Sequence, residues 1–258
     1  TNLINFWQEL YRLKKEVKYL RRIARSIRLF YSNGGMHFYP NGTLFSDAID
    51  MIREAGLAAD ADELTELLRK HVTQIRTTGL RYPPHEVRFE QTIATSAVAI
   101  PAAFYDRIDA DPEILRDIAA QLDVLSRFSG NQPDYRLNEI PIRHWDEFWF
   151  GKRHLYGDTF PHYLSCLTAR AYWLYSKISG EAVYREKASK CLRNCLCVFS
   201  PDGTASCAYL YPFSVTMRNP DGSIHTPARR GEFFDPFAND QDGVLYMILR
   251  MGGPNALL

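Results

Sequence analysis

The sequence predicts an all-α fold: antiparallel helical hairpins set as an (α/α) toroid, with an inner ring of buried helices inside an outer ring that faces water. Three observations predict it. Apolar residues recur at helical spacing through nearly all of the 258 residues. Helices with one apolar stripe alternate with helices that are apolar all round, as two concentric rings require. Short connections alternate with long ones, which pairs each helix with its sequence neighbour.

The N-terminal segment reads as one basic amphipathic helix over residues 1–32. Phe6, Leu10, Leu13, Val17, Leu20, Ala24, Ile27 and Tyr31 follow a 3,4 spacing over about seven turns. Its polar side carries eight cations against Glu9 and Glu16. Such a helix either packs as an outer arm with a solvated basic face or binds an acidic partner. Leu64, Leu67, Leu68, Val72 and Ile75 mark the next one-sided helix. Residues 91–104 are apolar or small all round and predict a buried one. Asp111-Pro112 supplies an N-cap and a first-turn proline for residues 112–128, with the stripe Ile114, Ile118, Leu122 and Leu125. Residues 161–178 predict a second buried helix, with His162, Cys166 and Trp173 in place of charges on its far side. Residues 182–198 are one-sided again. Loops 108–111 and 179–181 are short; 129–160 and 199–238 are long and hold most of the aromatic and charged residues. Within the second, 205–215 predicts a short β-hairpin.

At 46% hydrophobic content the chain can bury one sizeable core, and residues 1–258 are expected to form a single domain. A net charge of +1 argues against a nucleic-acid-coating protein. Five cysteines without a CxxC pair predict buried reduced thiols and no zinc site. No signal peptide or 18-residue apolar run is visible, so no membrane partner is expected. The chain begins at Thr1 without Met, the pattern of a processed or partly covered product. Localisation therefore stays open, with the reduced thiols tilting it weakly to the cytoplasm. No GxSxG, Walker loop or GxGxxG occurs, which removes serine-hydrolase, nucleotide-binding and Rossmann readings.

The richest stretch is 145–163, WDEFWFGKRHLYGDTFPHY. It holds two Trp, two Tyr, three Phe, two His, two cations and three carboxylates. Aromatic faces stack on sugar C–H faces, and carboxylates do the acid and base work of glycosidic cleavage. Asp158, ahead of Thr159-Phe-Pro161, is expected at a helix start, where it either accepts backbone N–H bonds or acts as a base. Asp240 and Asp242 open the last helix. Two residues apart they diverge by about 200° on a regular helix, so one faces a cleft, and Asp240 is the choice. Glu90, at the head of the buried helix 91–104, is either paired with an arginine or an acid of raised pKa. Trp145, Trp149, Tyr156 and Tyr163 are the stacking candidates. Arg143, His144, Lys152, Arg153 and His162 are candidates to receive an acidic sugar's carboxylate. His162 has no second histidine at i±4 and is a poor metal ligand.

Four strings together suggest a family: RFEQTIATSAVAI (88–100), GNQPDYRLNEIPIRHWDEFWFGKRHLYGDTFPHYLS (130–165), RNCLCVFSPDGTASCAYLYP (193–212) and DPFANDQDGVLY (235–246). They resemble the six-hairpin glycosidase superfamily, in particular bacterial members grouped near β-glucuronidases and unsaturated-glucuronyl hydrolases. The resemblance covers about residues 80–250. It implies an (α/α) toroid whose axial cleft binds a sugar chain, paired catalytic carboxylates, and no metal or organic cofactor. A complete six-hairpin ring needs twelve helices, and the sequence supplies about eight by this reading. Either the ring is incomplete, or further sequence or a second chain completes it.

Three functions stand after this reading. The first is a glycoside hydrolase on a glucuronate-bearing or related oligosaccharide, using Asp158, Asp240 and Glu90, with Asp242 at the sugar. The second is a polysaccharide lyase on the same fold, with Tyr163 and His162 removing a proton. The third is a non-catalytic interaction protein that uses the basic N-terminal helix.

Overall fold

The protein is described by a computed structural model, which covers residues 2–37, 43–78, 90–126, 143–145, 154–162, 165–196, 199, 201–203, 208–218, 221–228 and 242–258. Helical hairpins dominate, as the periodicity predicts. By its contacts the chain divides into two compact units, residues 1–83 with 92–121, and residues 84–91 with 122–258.

The first unit begins with a break that the apolar pattern does not show. Instead of one helix over 1–32 there are two, α1 (Asn2–Lys14) and α2 (Val17–Ser32). Lys15 ends α1 in the left-handed region at φ 57, its N–H donating to the Tyr11 carbonyl at 2.8 Å. Glu16 then turns extended and starts α2. A left-handed residue after the last turn is a usual helix stop, normally supplied by Gly, and here a lysine supplies it. The break separates the apolar stripe. Leu20, Ile23, Ala24, Ile27 and Tyr31 of α2 are buried, whereas Phe6, Leu13 and Val17 are exposed.

Helix α3 (Phe45–Glu54) and helix α4 (Ala58–Thr78) form the next hairpin and bury Ile49, Ile52, Leu64, Leu68, Val72 and Ile75. An aromatic knot joins α2, α3 and α4: Phe45 meets the Phe30 and Tyr31 rings edge-on at 5.2 and 5.7 Å, and the Tyr31 hydroxyl lies 3.3 Å from His71 Nδ1. Burial pushes the Tyr31 hydroxyl's pKa well up, so it stays neutral. Helix α5 (Glu90–Arg107) is buried without interruption from Thr95 to Phe104, as an inner helix should be. Helix α6 (Pro112–Ser126) starts where predicted, with the Asp111 carboxylate accepting the Glu113 N–H at 2.9 Å. Arg76 of α4 reaches Asp117 at 2.6 Å and Asp111 at 3.5 Å, and Arg69 pairs with Asp109, so the α5–α6 turn is tied to α4 by charge.

The second unit holds a four-stranded antiparallel sheet in the order β1-β2-β3-β4: β1 (Arg143–Trp145), β2 (His154–His162), β3 (Ala208–Arg218) and β4 (Ile224–Ala228). The hairpin expected within 205–215 is corrected: residues 208–215 belong to one strand, β3, whose antiparallel partner β4 begins only at Ile224, so the hairpin is longer than expected and is joined to two further strands. Helix α7 (Ser165–Ser179) begins four residues later than expected, because 161 and 162 belong to β2. Helices α7 and α8 (Ala182–Cys195) pair across the turn at Gly180, whose φ of 76 needs a glycine. Cys166, Cys191 and Cys195 are buried thiols. Helix α9 (Asp242–Arg250) packs on α7 and α8, and the closing 3-10 turn, Gly253–Leu257, is held to α8 through Arg193 on the Leu257 carbonyl at 2.7 Å.

Candidate active site

The sheet of the second unit carries six of the predicted site residues. Asp158 does not stand at a helix start; it lies within β2. The Thr159-Phe-Pro161 sequence imitates an N-cap with a first-turn proline. An irregularity between Thr159 and His162 instead lets the strand carry Pro161, which has no N–H to give to a ladder. β2 is flanked on both sides. His144 of β1 and Tyr211 of β3 are the register partners of Asp158. Arg143 lies opposite Thr159, and Trp145 opposite Gly157. Tyr156 is opposite Thr216, and His162 ends the strand opposite Ala208. A second irregularity, between Tyr156 and Asp158, interrupts the β2–β3 ladder beside this row. Bulges re-aim side chains and are common next to active sites.

The register therefore gathers Arg143, His144, Trp145, Tyr156, Asp158 and His162 onto two adjacent strands. Glu90 opens α5 and Asp242 opens α9. Trp149, Lys152, Arg153, Tyr163 and Asp240 lie outside the described residues. Among the described residues, no group of three or more His, Cys, Asp or Glu side chains is placed to hold a metal ion.

Two residues escape the sequence reading. Tyr211 completes the row through His144 and Asp158. Its signal was the alternation Tyr209, Tyr211, Phe213, which marks a strand without showing what it pairs with. Arg170 corrects the expectation that the far side of α7 carries no charge: it sits mid-helix at 7% exposure. A buried guanidinium is held only where hydrogen bonds or an opposite charge compensate it. Arg170 follows β2 by eight residues in the same unit.

No family model matches the chain, and no curated protein matches it. A solved structure does. One described as "Polysaccharide Lyase BACCELL_00875" is similar over 96% of this chain, with a TM-score of 0.80 and 35% sequence identity. This chain spans 35% of the length of that one. The description is of a lyase and not of a glycosidase.

Proposed function

We propose that this chain is part of a polysaccharide lyase acting on a uronate-bearing chain. The observation that carries the reading is the likeness to a polysaccharide lyase over nearly the whole of this sequence. β-Elimination needs a carbon-bound proton made acidic by a neighbouring carboxyl group, and a uronate supplies one at C5. A base removes that proton. The carboxylate, neutralised by a cation, takes up the charge, and the C4–O bond breaks as an acid protonates the departing oxygen. One fragment then ends in a C4–C5 double bond, and no water is consumed.

The residues fit those roles by type and by register. His144 and Tyr211, on either side of Asp158, are the pair we assign to proton transfer. His162, which ends β2, and Tyr163, the next residue in sequence, are the alternative pair. Arg143 is the cation for the carboxylate, and Trp145 and Tyr156 are the stacking faces. In this reading Asp158, the register partner of both His144 and Tyr211, has a positioning role.

The test is to mix the protein with uronate-containing polysaccharides, then read ultraviolet absorbance beside product mass. New unsaturated-uronate absorbance without added water is the expected result. His144→Ala and Tyr211→Phe should each lower turnover by about 10²–10⁴-fold, the range for a lost acid or base. Wild-type turnover in both variants would remove that pair and turn attention to His162 and Tyr163. A second reading, hydrolysis by Asp158 with Asp240, rests on the glycosidase-like strings at 130–165 and 235–246. Products heavier by one water would establish it.

A further inference from the structure

The charge of this chain is unevenly placed. Residues 1–32 hold eight cations and two carboxylates, in a chain whose net charge is only +1. Helix α2 carries most of the excess and contains no acidic residue. Its buried stripe is Leu20, Ile23, Ala24, Ile27 and Tyr31; at 100° per residue, Lys18, Arg21, Arg22 and Arg25 fall on the opposite side. Arg21, Arg22 and Arg25 are exposed.

Some of the cations are already engaged. Lys18 pairs with Glu16, and Arg28 pairs with Asp60 and Glu63. Arg21 and Arg25 meet no carboxylate among the described residues. They stand one turn apart, about 6 Å along the axis. Beside them is a layered aromatic shelf. The Trp7 and Tyr19 rings stack at 5.9 Å with 19° between their planes, the Arg22 guanidinium lies 4.6 Å from the Trp7 ring centre, and Lys18 Nζ lies 5.0 Å from that of Tyr19. Phe6, 5.0 Å from Trp7, is 53% exposed. Cation–π contact holds the Arg22 guanidinium against the shelf, one residue from Arg21.

We infer that the α1–α2 hairpin is a binding surface for an acidic polysaccharide, with Arg21 and Arg25 meeting its carboxylates and Phe6, the exposed ring beside the stacked Trp7 and Tyr19, meeting a sugar face. A row of unneutralised cations attracts a polyanion, and aromatic faces add contact with pyranose C–H groups. The choice of polymer rests on the lyase reading; the surface itself rests on the charge and ring geometry.

The test measures binding rather than turnover, with the full chain. Polygalacturonate is the probe, dextran the neutral control, and duplex DNA and phosphatidylserine vesicles are the competing anions. Retention on polygalacturonate and not on dextran, weakening with added salt, is expected. The double variant R21E/R25E should bind about tenfold or more weaker at low ionic strength. The milder R21Q/R25Q, which leaves both positions uncharged, should fall between, with circular dichroism confirming that each variant is folded. Equal affinity of wild type and both variants overturns the inference, as does dextran bound as tightly as polygalacturonate. Tighter binding to DNA or to the vesicles overturns the assignment to polysaccharide. Retention of polygalacturonate, with no unsaturated product from it or from any other uronate polysaccharide of the turnover test, leaves this surface standing and sinks the lyase reading; cleavage with unchanged binding in the variants does the reverse.

Discussion

Gly35 is a residue whose role only packing reveals. Its φ is ordinary, so backbone freedom is not the reason for a glycine. A methyl group placed on it would lie 2.4 Å from the Phe30 ring and 2.4 Å from the Phe30 carbonyl oxygen. Phe30 cannot simply swing away, because its ring meets Tyr31 and Phe45 edge-on at 5.2 Å each. Gly35→Ala should therefore destabilise the protein by about 1–3 kcal/mol through overpacking. Gly34→Ala next to it meets nothing within 4 Å but must hold φ +83, so it isolates the backbone cost of about 1–2 kcal/mol. Urea unfolding of the two variants checks this, and a wild-type midpoint for Gly35→Ala would dismiss the clash. Side chains of this kind are invisible in sequence, where Asn33-Gly34-Gly35 reads only as a turn. Arg170 was hidden differently: the far side of its helix was read from His162, Cys166 and Trp173 as free of charge, and only burial shows the guanidinium inside.

At the scale of elements, legibility followed the type of signal. Helices α4 to α8 were readable because their apolar residues repeat at helical spacing and because Asp111-Pro112 and Gly180 mark ends with known chemistry. The Lys15 break was not readable, since a left-handed lysine leaves no mark that Gly or Pro would have left. Strand β2 was misread because a strand with Gly157 and Pro161 lacks clean alternation, and its pairing depends on residues some 50 positions away on β3. Thus the residue types of the candidate site were legible, but not the row that joins His144, Asp158 and Tyr211.

The α7–α8 hairpin supports a pH prediction. The Tyr175 hydroxyl donates to the Glu181 carboxylate at 3.0 Å, and burial, then this bond, pushes its pKa from about 10 to about 12. The fold holds the neutral phenol. Its contribution is therefore whole below pH 10 and is lost as pH rises from 10 to 12. Wild type should exceed Tyr175→Phe by about 1 kcal/mol at neutral pH, the worth of one hydrogen bond. That gap should shrink above pH 10. Thermal unfolding of the pair across alkaline pH reads it directly, and a gap independent of pH would break the link to Tyr175.

For the whole molecule the question is whether the two compact units unfold as one. Of their three boundaries, 83/84, 91/92 and 121/122, the last two fall inside helices: two residues into α5 (Glu90–Arg107) and in the last third of α6 (Pro112–Ser126). In α6 a single buried stripe crosses the boundary, Ile114 and Ile118 on one side, Leu122 and Leu125 on the other. Unfolding the second unit alone would fray the last third of α6, losing its hydrogen bonds and exposing half of its stripe. We therefore propose that the chain is one cooperative domain. Leu64→Ala, in the first unit, empties a fully buried position and should cost about 2–5 kcal/mol. Trp7 reports on the first unit, and Trp145, Trp149 and Trp173 report on the second. If the domain is single, the Leu64→Ala variant moves the urea transition of a Trp7-only protein and that of a protein lacking Trp7 by the same amount. A shift confined to the Trp7 signal would show that each unit unfolds alone despite the shared helices.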